Sequence, residues 1–437
     1  MASDDGATVE ETDPSWVLRY AREHVVHLVV LLVLAAYPGI HAVLVESPLA
    51  SEMTMLLPRV ETMIAVFYFG LFAMSFDFIS GYTGYLSFGH AVFYGTGAYF
   101  VVLAGNGKVP LLAPDTNFMF LLLFAGALAV ALSVLIGAVS FRLTGVYFAM
   151  VTLGFAQVVY VFVRDWDYVS SSPRDGAAVT ERTGGFQVGV PGVDELNLAI
   201  GQLTGDTVEG LFGFLTLSST EVSYYMVGLV VLVCYLAMQR AIHSPFGRVM
   251  VAIRENEERA RAVGYDTFRY KLGAFAISGF FAAVAGGLFA GFRRSVAPEN
   301  SLFFLVTGDA LLASIIGGFG TLAGPLYGHG FDELVREFLS KEGSGGGFLP
   351  YLREHLSQGA LETVLYNGLT VQEAIETFIN GHAALYVGLL FVAFVLYVPG
   401  GLLGTVRARF GTTVAKGVAD RLPAFGAGTA ETGEREE

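Results

Sequence analysis

Apolar runs of about twenty residues recur along the chain, and they restrict its fold more than any motif does. A helix rises 1.5 Å per residue, so about 20 apolar residues cross roughly 30 Å of hydrocarbon. Such runs are read at about 25–45, 60–80, 88–104, 118–140, 143–163, 223–240, 270–292, 301–320 and 383–403, with a weaker one at 323–340. The expectation is an all-α, polytopic integral membrane protein with about 8–10 transmembrane helices. A soluble protein with buried helices would need polar faces that these runs lack. Only 15% of residues are charged, against roughly a quarter in soluble domains. The 54 glycines fit the same class, because small residues let helix backbones approach in lipid.

Loop charge sets the expected orientation, since arginine and lysine concentrate on the cytoplasmic side. The stretch SPFGRVMVAIRENEERARAVGYDTFRYK, residues 244–271, carries ten charged residues in 28 and is placed in the cytoplasm. Counting spans backward puts the N-terminus there too, as an acidic tail over 1–24 ahead of a membrane region over 25–403. The basic tail 404–437, with Arg407, Arg409, Lys416 and Arg421, is expected on the same side. That requires 323–340 to cross or to dip in and return, although Asp332, Glu333, Arg336 and Glu337 make it an expensive lipid-facing span. Segments 164–222 and 341–382 then lie outside. The latter contains GSGGGF, read as a flexible linker, and LTVQEAIETFIN, read as a short amphipathic helix. The acidic N-terminus lacks a small-residue cleavage site, so no cleaved signal peptide is read.

The net charge of −14, with four lysines against 21 arginines, suits a surface adapted to very high salt. A halophilic source is the expectation. No basic nucleic-acid face is visible. The single cysteine, Cys234, lies in an apolar run and is expected to be inert.

The charged loop 241–269 has its own grammar. Ser244 suits an N-cap and Pro245 the first helical position. Phe246, Val249, Met250, Ile253, Ala260 and Val263 follow helical spacing along one face, and Gly264 is a natural stop. One amphipathic helix over 245–263 is predicted. By pattern alone it is either an interfacial anchor or a docking element for a cytoplasmic partner.

A second concentration of signal is GYTGYLSFGHAVFYGTGAY, residues 81–99. Each glycine costs a helix interior about 1 kcal/mol, so the cluster predicts broken or closely approached helices. Broken backbone at membrane depth is tolerated only beside protein or a watery cavity. Such breaks supply the donors and acceptors a zwitterion needs. Asp77 and Asp309 are the acids inside otherwise apolar segments. Each must find a donor or face a cavity. Ser87 and Thr152 are weaker candidates, since hydroxyls in spans commonly bond their own helix.

Several stretches together are similar to the branched-chain amino-acid ABC transporter permeases. These are the loop SPFGRVMVAIRENEERARAVGYD with the helix that follows it, GYTGYLSFGHAVFYGTGAY, LTGVYFAMVTLGFAQ (143–157), RTGGFQVGVPG (182–192), GGFGTLAGPLYG (317–328) and VPGGLLGTVRARF (398–410). Their order and spacing resemble the longer, M-type permease of that family, and with the acidic composition the expected source is a halophilic archaeon. The chain departs from the family's pattern at Asp77, Tyr85 and Gln157. The resemblance implies that the loop couples to an ATPase, with Ser244, Gly247, Arg248, Arg254, Glu255, Glu257, Arg259 and Gly264 as its coupling residues. It implies a translocation route lined by Asp77, Gly81, Gly84, Ser87, Gly89, Thr152, Asp309, Gly318 and Thr321. The implied partners are a second, homologous permease, two cytoplasmic ATPase subunits, an external solute-binding protein, an amino-acid substrate and the plasma-membrane bilayer. The chain itself is expected to be no enzyme and to hold no cofactor, ATP and magnesium belonging to the partner subunits. Urea or short-chain amide permeases are the neighbouring alternative within the class, and an ion-coupled secondary transporter the alternative outside it.

Other motifs fail. GNGKV at 105–109 lacks Walker A spacing, and GGFGT follows no strand. His24 and His27 share a helix face without a third ligand.

Overall fold

The computed structural model describes residues 30–44, 57–110, 112–113, 116–179, 186–190, 193–200, 208–211, 215–340, 356–366, 368–379, 383–398 and 400–405. The acidic tail 1–24 with His24 and His27, the GSGGGF linker and the tail beyond residue 405 lie outside the described residues. Pro38–Leu403 forms one compact unit; Met1–Tyr37 with Gly404–Glu437 forms another, described only at 30–37 and 404–405.

In chain order the described helices are α1 (Val30–Leu44), α2 (Val60–Thr83), α3 (Ala91–Gly105), α4 (Phe118–Ser140), α5 (Val146–Arg164), α6 (Ser219–His243), α7 (Pro245–Glu255) and α8 (Glu257–Ala262). They continue as α9 (Thr267–Arg293), α10 (Pro298–Ser301), α11 (Phe304–Gly317), α12 (Gly324–Ser340), α13 (Gln358–Leu361), α14 (Val371–Ile379) and α15 (Ala383–Tyr397). Among the described residues, six segments are long and apolar enough to cross a membrane: α2, α4, α5, α6, α9 and Pro298–Gly317. Val30–Leu44, Ala91–Gly105 and Leu385–Phe394 are shorter apolar helices. The protein is an all-α, multi-pass membrane protein.

Burial divides the bundle. α2 and α9 are largely enclosed, with Phe72, Phe76, Phe275 and Leu288 fully buried. α4, α5 and α6 turn Phe124, Leu135, Val158, Phe162, Leu229 and Val233 outward, an apolar exterior suited to lipid. Lipid supplies no hydrophobic force between helices, so close backbone contact does more of the holding. At the α3–α9 crossing an added Cβ on Gly97 would lie 2.0 Å from the Ala283 carbonyl oxygen, and one on Gly286 1.8 Å from that of Tyr94.

The glycine-rich stretch 81–99 is broken, as its composition predicts, and the limits of the spans shift accordingly. The run read as 88–104 becomes helical only at Ala91; residues 84–90 are irregular backbone and turn. Ser278, opposite His90, lies eleven residues into α9, about 16 Å along its axis at the helical rise. So α3 starts inside the bundle. The run 301–320 divides into α10 and α11, then a non-helical turn over 318–323. The segment 323–340 is helical as α12, with Leu326 packed on Gly70 and Glu337 accepting from the Arg59 N–H at 3.2 Å. It therefore runs alongside α2. LTVQEAIETFIN forms α14.

The polar segment 164–222, read as loop, also carries short antiparallel pairs: β2 (Phe186–Val190) with β3 (Val193–Ile200), and β4 (Val208–Leu211) with β5 (Leu215–Leu217). Its strand β1 (Ala177–Ala178) pairs with β6 (Ser295–Val296) just beyond α9. The last pair is β7 (Val364–Tyr366) with β8 (Leu369–Thr370). Each pair is too short and isolated to make a sheet core.

Candidate functional site

The charged loop is two helices meeting at a corner. Ser244 closes α6 and opens α7: its hydroxyl donates to the Ala241 carbonyl at 2.6 Å and accepts from the Gly247 N–H at 3.4 Å. Gly247 is held to that corner, since a Cβ there would lie 1.9 Å from the Ile242 carbonyl oxygen. The single helix predicted over 245–263 is broken at Asn256, whose backbone is extended and whose side chain caps α8 by accepting from the Arg259 N–H at 2.8 Å. Glu257 and Glu258 in the first turn favour that start, because the N-terminal end of the helix dipole is positive. α8 ends at Gly264, with φ +94°. The Gly264 N–H bonds the Arg261 carbonyl and the Tyr265 N–H that of Ala260, the paired closure that favours glycine in the left-handed region.

This corner changes which side chains point where. Val249, Met250, Ile253 and Ala260 are buried as the spacing predicts, with Tyr85 and Tyr270 packed against them. Val263, expected on that face, is 70% exposed, because the break at Asn256 resets the helical phase. Arg248, Glu255, Glu258 and Arg259 are exposed, and Tyr265 joins Val263 in an exposed apolar edge.

Two of the expected coupling residues are tied to the bundle. Arg254 donates through Nη1 to the Gly81 carbonyl at 2.8 Å and through Nη2 to Glu255 at 3.1 Å. Glu257 is the centre of a knot. Its Oε2 accepts from the Tyr85 hydroxyl at 2.5 Å. Its Oε1 accepts from Lys271 Nζ at 2.7 Å, Thr267 Oγ1 at 3.0 Å and Arg261 Nη2 at 3.0 Å. Lys271 Nζ also donates to the Tyr85 hydroxyl at 3.0 Å and lies 4.6 Å from the Tyr85 ring centre. Burial alone would raise the Glu257 pKa; the bonds from Lys271 and Tyr85 outweigh it and hold the carboxyl below its ordinary range. Burial and the Glu257 carboxylate push the Tyr85 phenol up.

The same end of α2 grips a second break. Asp77 is fully buried, and its Oδ1 accepts from the Gly320 N–H at 2.9 Å. Gly81 is required there: a Cβ would lie 2.6 Å from Asp77 Oδ1 and 2.8 Å from Gly320 Cα. Within the 318–323 turn the Thr321 hydroxyl donates to the Gly318 carbonyl at 2.6 Å. Asp77, Gly81, Gly318 and Thr321 therefore come together as one clamp between α2 and the turn.

Gly84, at φ +77°, ends α2 against Arg254, and the chain then runs through Tyr85, Ser87 and Gly89 to His90. His90 is fully buried, with Nε2 3.2 Å from Ser75 Oγ and 3.1 Å from Ser278 Oγ. Those hydroxyls spend their hydrogens on the Phe72 and Ser75 carbonyls. Each must then accept from His90, which puts the ring proton on Nε2 and leaves Nδ1 a bare acceptor. Asp77 Oδ2, Ser80 Oγ, Ser87 Oγ and His90 Nδ1 are buried with no hydrogen-bond partner among the described residues. Four such atoms in fourteen residues stand out, because buried polar groups are nearly always paired.

The remaining route candidates divide: Thr152 adjoins the interrupted stretch and Asp309 does not. Thr152 is buried and bonds its own helix, donating to the Ala149 carbonyl at 2.9 Å, while Gly89 packs on its backbone. Asp309 is on the exposed side of α11 with Leu305 and Gly308 beside it, and so joins neither the clamp nor the interrupted stretch. Sequence reasoning passed over Asn256, Lys271, His90, Ser75 and Ser278 as site residues. Asn256 carried a legible signal, an N-cap residue followed by two glutamates. His90 stood inside a quoted motif, but its serine partners come from other helices.

Known proteins support a family assignment. A family model described as branched-chain amino acid transport system / permease component matches residues 59–331. Over 255 residues the chain is 31% identical to the high-affinity branched-chain amino acid transport system permease protein LivM of Escherichia coli (strain K12), a match covering 57% of this chain and 56% of that protein. The same protein of Salmonella typhimurium matches at the same identity and coverage. The probable branched-chain amino acid transport permease protein LivH of Methanocaldococcus jannaschii is 32% identical over 144 residues, covering 32% of this chain and 43% of that protein. The chain thus spans little more than half the length of the LivM relatives it matches, and no solved structure matches it. The region matched by the family model contains the loop, the knot and the clamp, and the chain belongs to the branched-chain amino acid transport permease component family.

Proposed function

We propose that the chain is the M-type permease subunit of an ATP-driven ABC importer for branched-chain amino acids. The observation that carries this beyond family membership is the α7–α8 corner. It exposes Arg248, Glu255, Glu258, Arg259 and an apolar edge to a partner, while its inner side is fastened to the interrupted stretch 84–90 through Tyr85 and to the end of α2 through Gly81. An anchor that merely lies at an interface has no use for those internal ties. In this reading the corner lies in the cytoplasm, with both termini, and segments 164–222 and 341–382 lie outside. Two ATPase subunits dock on the corner and bind ATP and magnesium, and this chain hydrolyses nothing. A second, homologous permease completes the route, and an external solute-binding protein delivers the amino acid.

The interrupted stretch 84–90 supplies the polar wall of the route. Its buried, unpartnered atoms fit intermittent contact with a polar solute or with water. Asp309 belongs to the face of α11 turned toward the second permease, since an acid facing lipid would cost about 2.5–3.5 kcal/mol at the helix centre. The acidic, lysine-poor composition supports a high-salt, archaeal source.

Co-purification followed by reconstitution tests the reading. An ATPase subunit is expected to come down with the chain. Proteoliposomes holding the whole complex and its binding protein are expected to take up labelled leucine only with ATP. Uptake by the purified chain alone, indifferent to ATP, would identify a secondary carrier instead, and uptake of urea in place of leucine would move it to the amide permeases.

A further inference from the structure

We propose that the knot of Glu257, Lys271 and Tyr85 is the internal transmission link of the permease, carrying displacement of the α7–α8 corner to the interrupted stretch 84–90 and to α9. The inference rests on the ATP-driven reading above and adds positioning residues to it. Outer contacts explain how a partner takes hold of the corner; they leave open how the corner moves anything inside the bundle.

The argument starts from Lys271. Its side chain is 3% exposed, and an ammonium that far from water is costly unless paired. The counter-charge comes from Glu257, which belongs to α8 and is itself only 19% exposed. Lys271 is thus neutralised by a residue on the moving part. Tyr85 ties a third element in by donating to Glu257 and accepting from Lys271. Its ring packs edge-on against Phe141 at 5.4 Å and Phe148 at 5.2 Å, which brings in the α4–α5 corner. Displacing α8 must therefore either draw Tyr85 and α9 along or strand a buried charge. In a low-dielectric setting the second course is the costlier, so the knot behaves as a stiff coupling.

Arg254, through the Gly81 carbonyl, gives the corner a parallel tie to α2. That tie ends on a neutral carbonyl from a side chain 38% exposed, where water can replace it. The Glu257 knot is the tie that water replaces least easily.

The experiment uses the complete complex in proteoliposomes and reads leucine taken up per ATP hydrolysed, with complex recovery and thermal unfolding measured alongside. Tyr85→Phe keeps the ring and removes the bond to Glu257; Glu257→Gln removes the charge. Both are expected to assemble and hydrolyse ATP while uptake per ATP falls about tenfold, within the span of ordinary conformational coupling. The double variant is expected to be no worse than Glu257→Gln alone, since both act in one chain of contacts.

Uptake and hydrolysis falling in proportion, or an unchanged ratio in Tyr85→Phe, would overturn the inference and make the knot a stabilising contact only. Wild-type uptake indifferent to ATP would overturn the transport reading itself. The two failures are distinguished by whether the wild-type complex is ATP-driven.

Discussion

Asp77 holds the 318–323 turn through one oxygen, and that oxygen needs no charge. Asp77→Asn retains an acceptor for the Gly320 N–H, so its thermal stability in detergent is expected to match the parent. Asp77→Leu removes the acceptor and leaves a buried N–H unpaired, at a cost of about 1–3 kcal/mol, read as a lowered Tm. Equal melting of the two variants would remove Asp77 from the clamp. Glu257 is the residue where protonation matters. Its carboxyl is held below the ordinary glutamate value of 4.5 by Lys271, Tyr85 and Thr267, against the opposing effect of burial. A depressed carboxylate contributes stability that is present above its unfolded pKa and is lost as pH falls through the folded value. Acidification below about pH 4.5 is therefore expected to loosen α8, increasing hydrogen exchange over 257–264. Glu257→Gln is expected to show that looseness at neutral pH and little further change in acid. Both residues were visible as acids in the sequence; their partners, at positions 320, 85 and 271, come from distant parts of the chain.

At the scale of elements, the crossing of α3 and α9 is the least tolerant feature. Gly97→Val would force a side chain into the Ala283 carbonyl. It is expected to abolish recovery of folded protein by size-exclusion chromatography, because such overpacking cannot relax between two backbones in contact. Gly154 in α5 has nothing within 4 Å of an added Cβ, and Gly154→Ala is expected to purify like the parent. This pair separates packing from helix propensity, which favours each new residue over the glycine it replaces. The loop shows what local chemistry reveals about an element. Ser244, Pro245 and Gly264 mark its ends because caps and stops act within one turn. The break at Asn256 competes with a hydrophobic spacing that runs straight through it, and the periodicity misplaced Val263. The start of α3 was partly legible: the glycines of 81–99 announced a break, but where it falls depends on the neighbours that hold residues 84–90 out of a helix.

For the whole molecule, the proposed topology places opposite ends of the spans on opposite sides of the membrane. Glu258, in α8, and Asp165, beyond α5, are both exposed. Glu258→Cys is expected to react with an impermeant thiol reagent only in inside-out vesicles, and Asp165→Cys only in right-side-out ones. The native Cys234 is buried and its thiol is shielded, so background labelling should be low. Labelling of both sites from one side would refute the orientation. The sequence by itself determined the membrane class, the approximate spans, the position of the charged loop and the family resemblance. These follow from apolar run length, capping chemistry and short motifs, all properties of neighbouring residues. Only the tertiary structure decided that Glu257 turns inward, that Arg254 reaches the Gly81 carbonyl, that Asp77 grips a backbone turn, and that four polar atoms between residues 77 and 90 are buried without a partner among the described residues. Each depends on which distant segment a side chain meets, and that is settled by helices packing against one another.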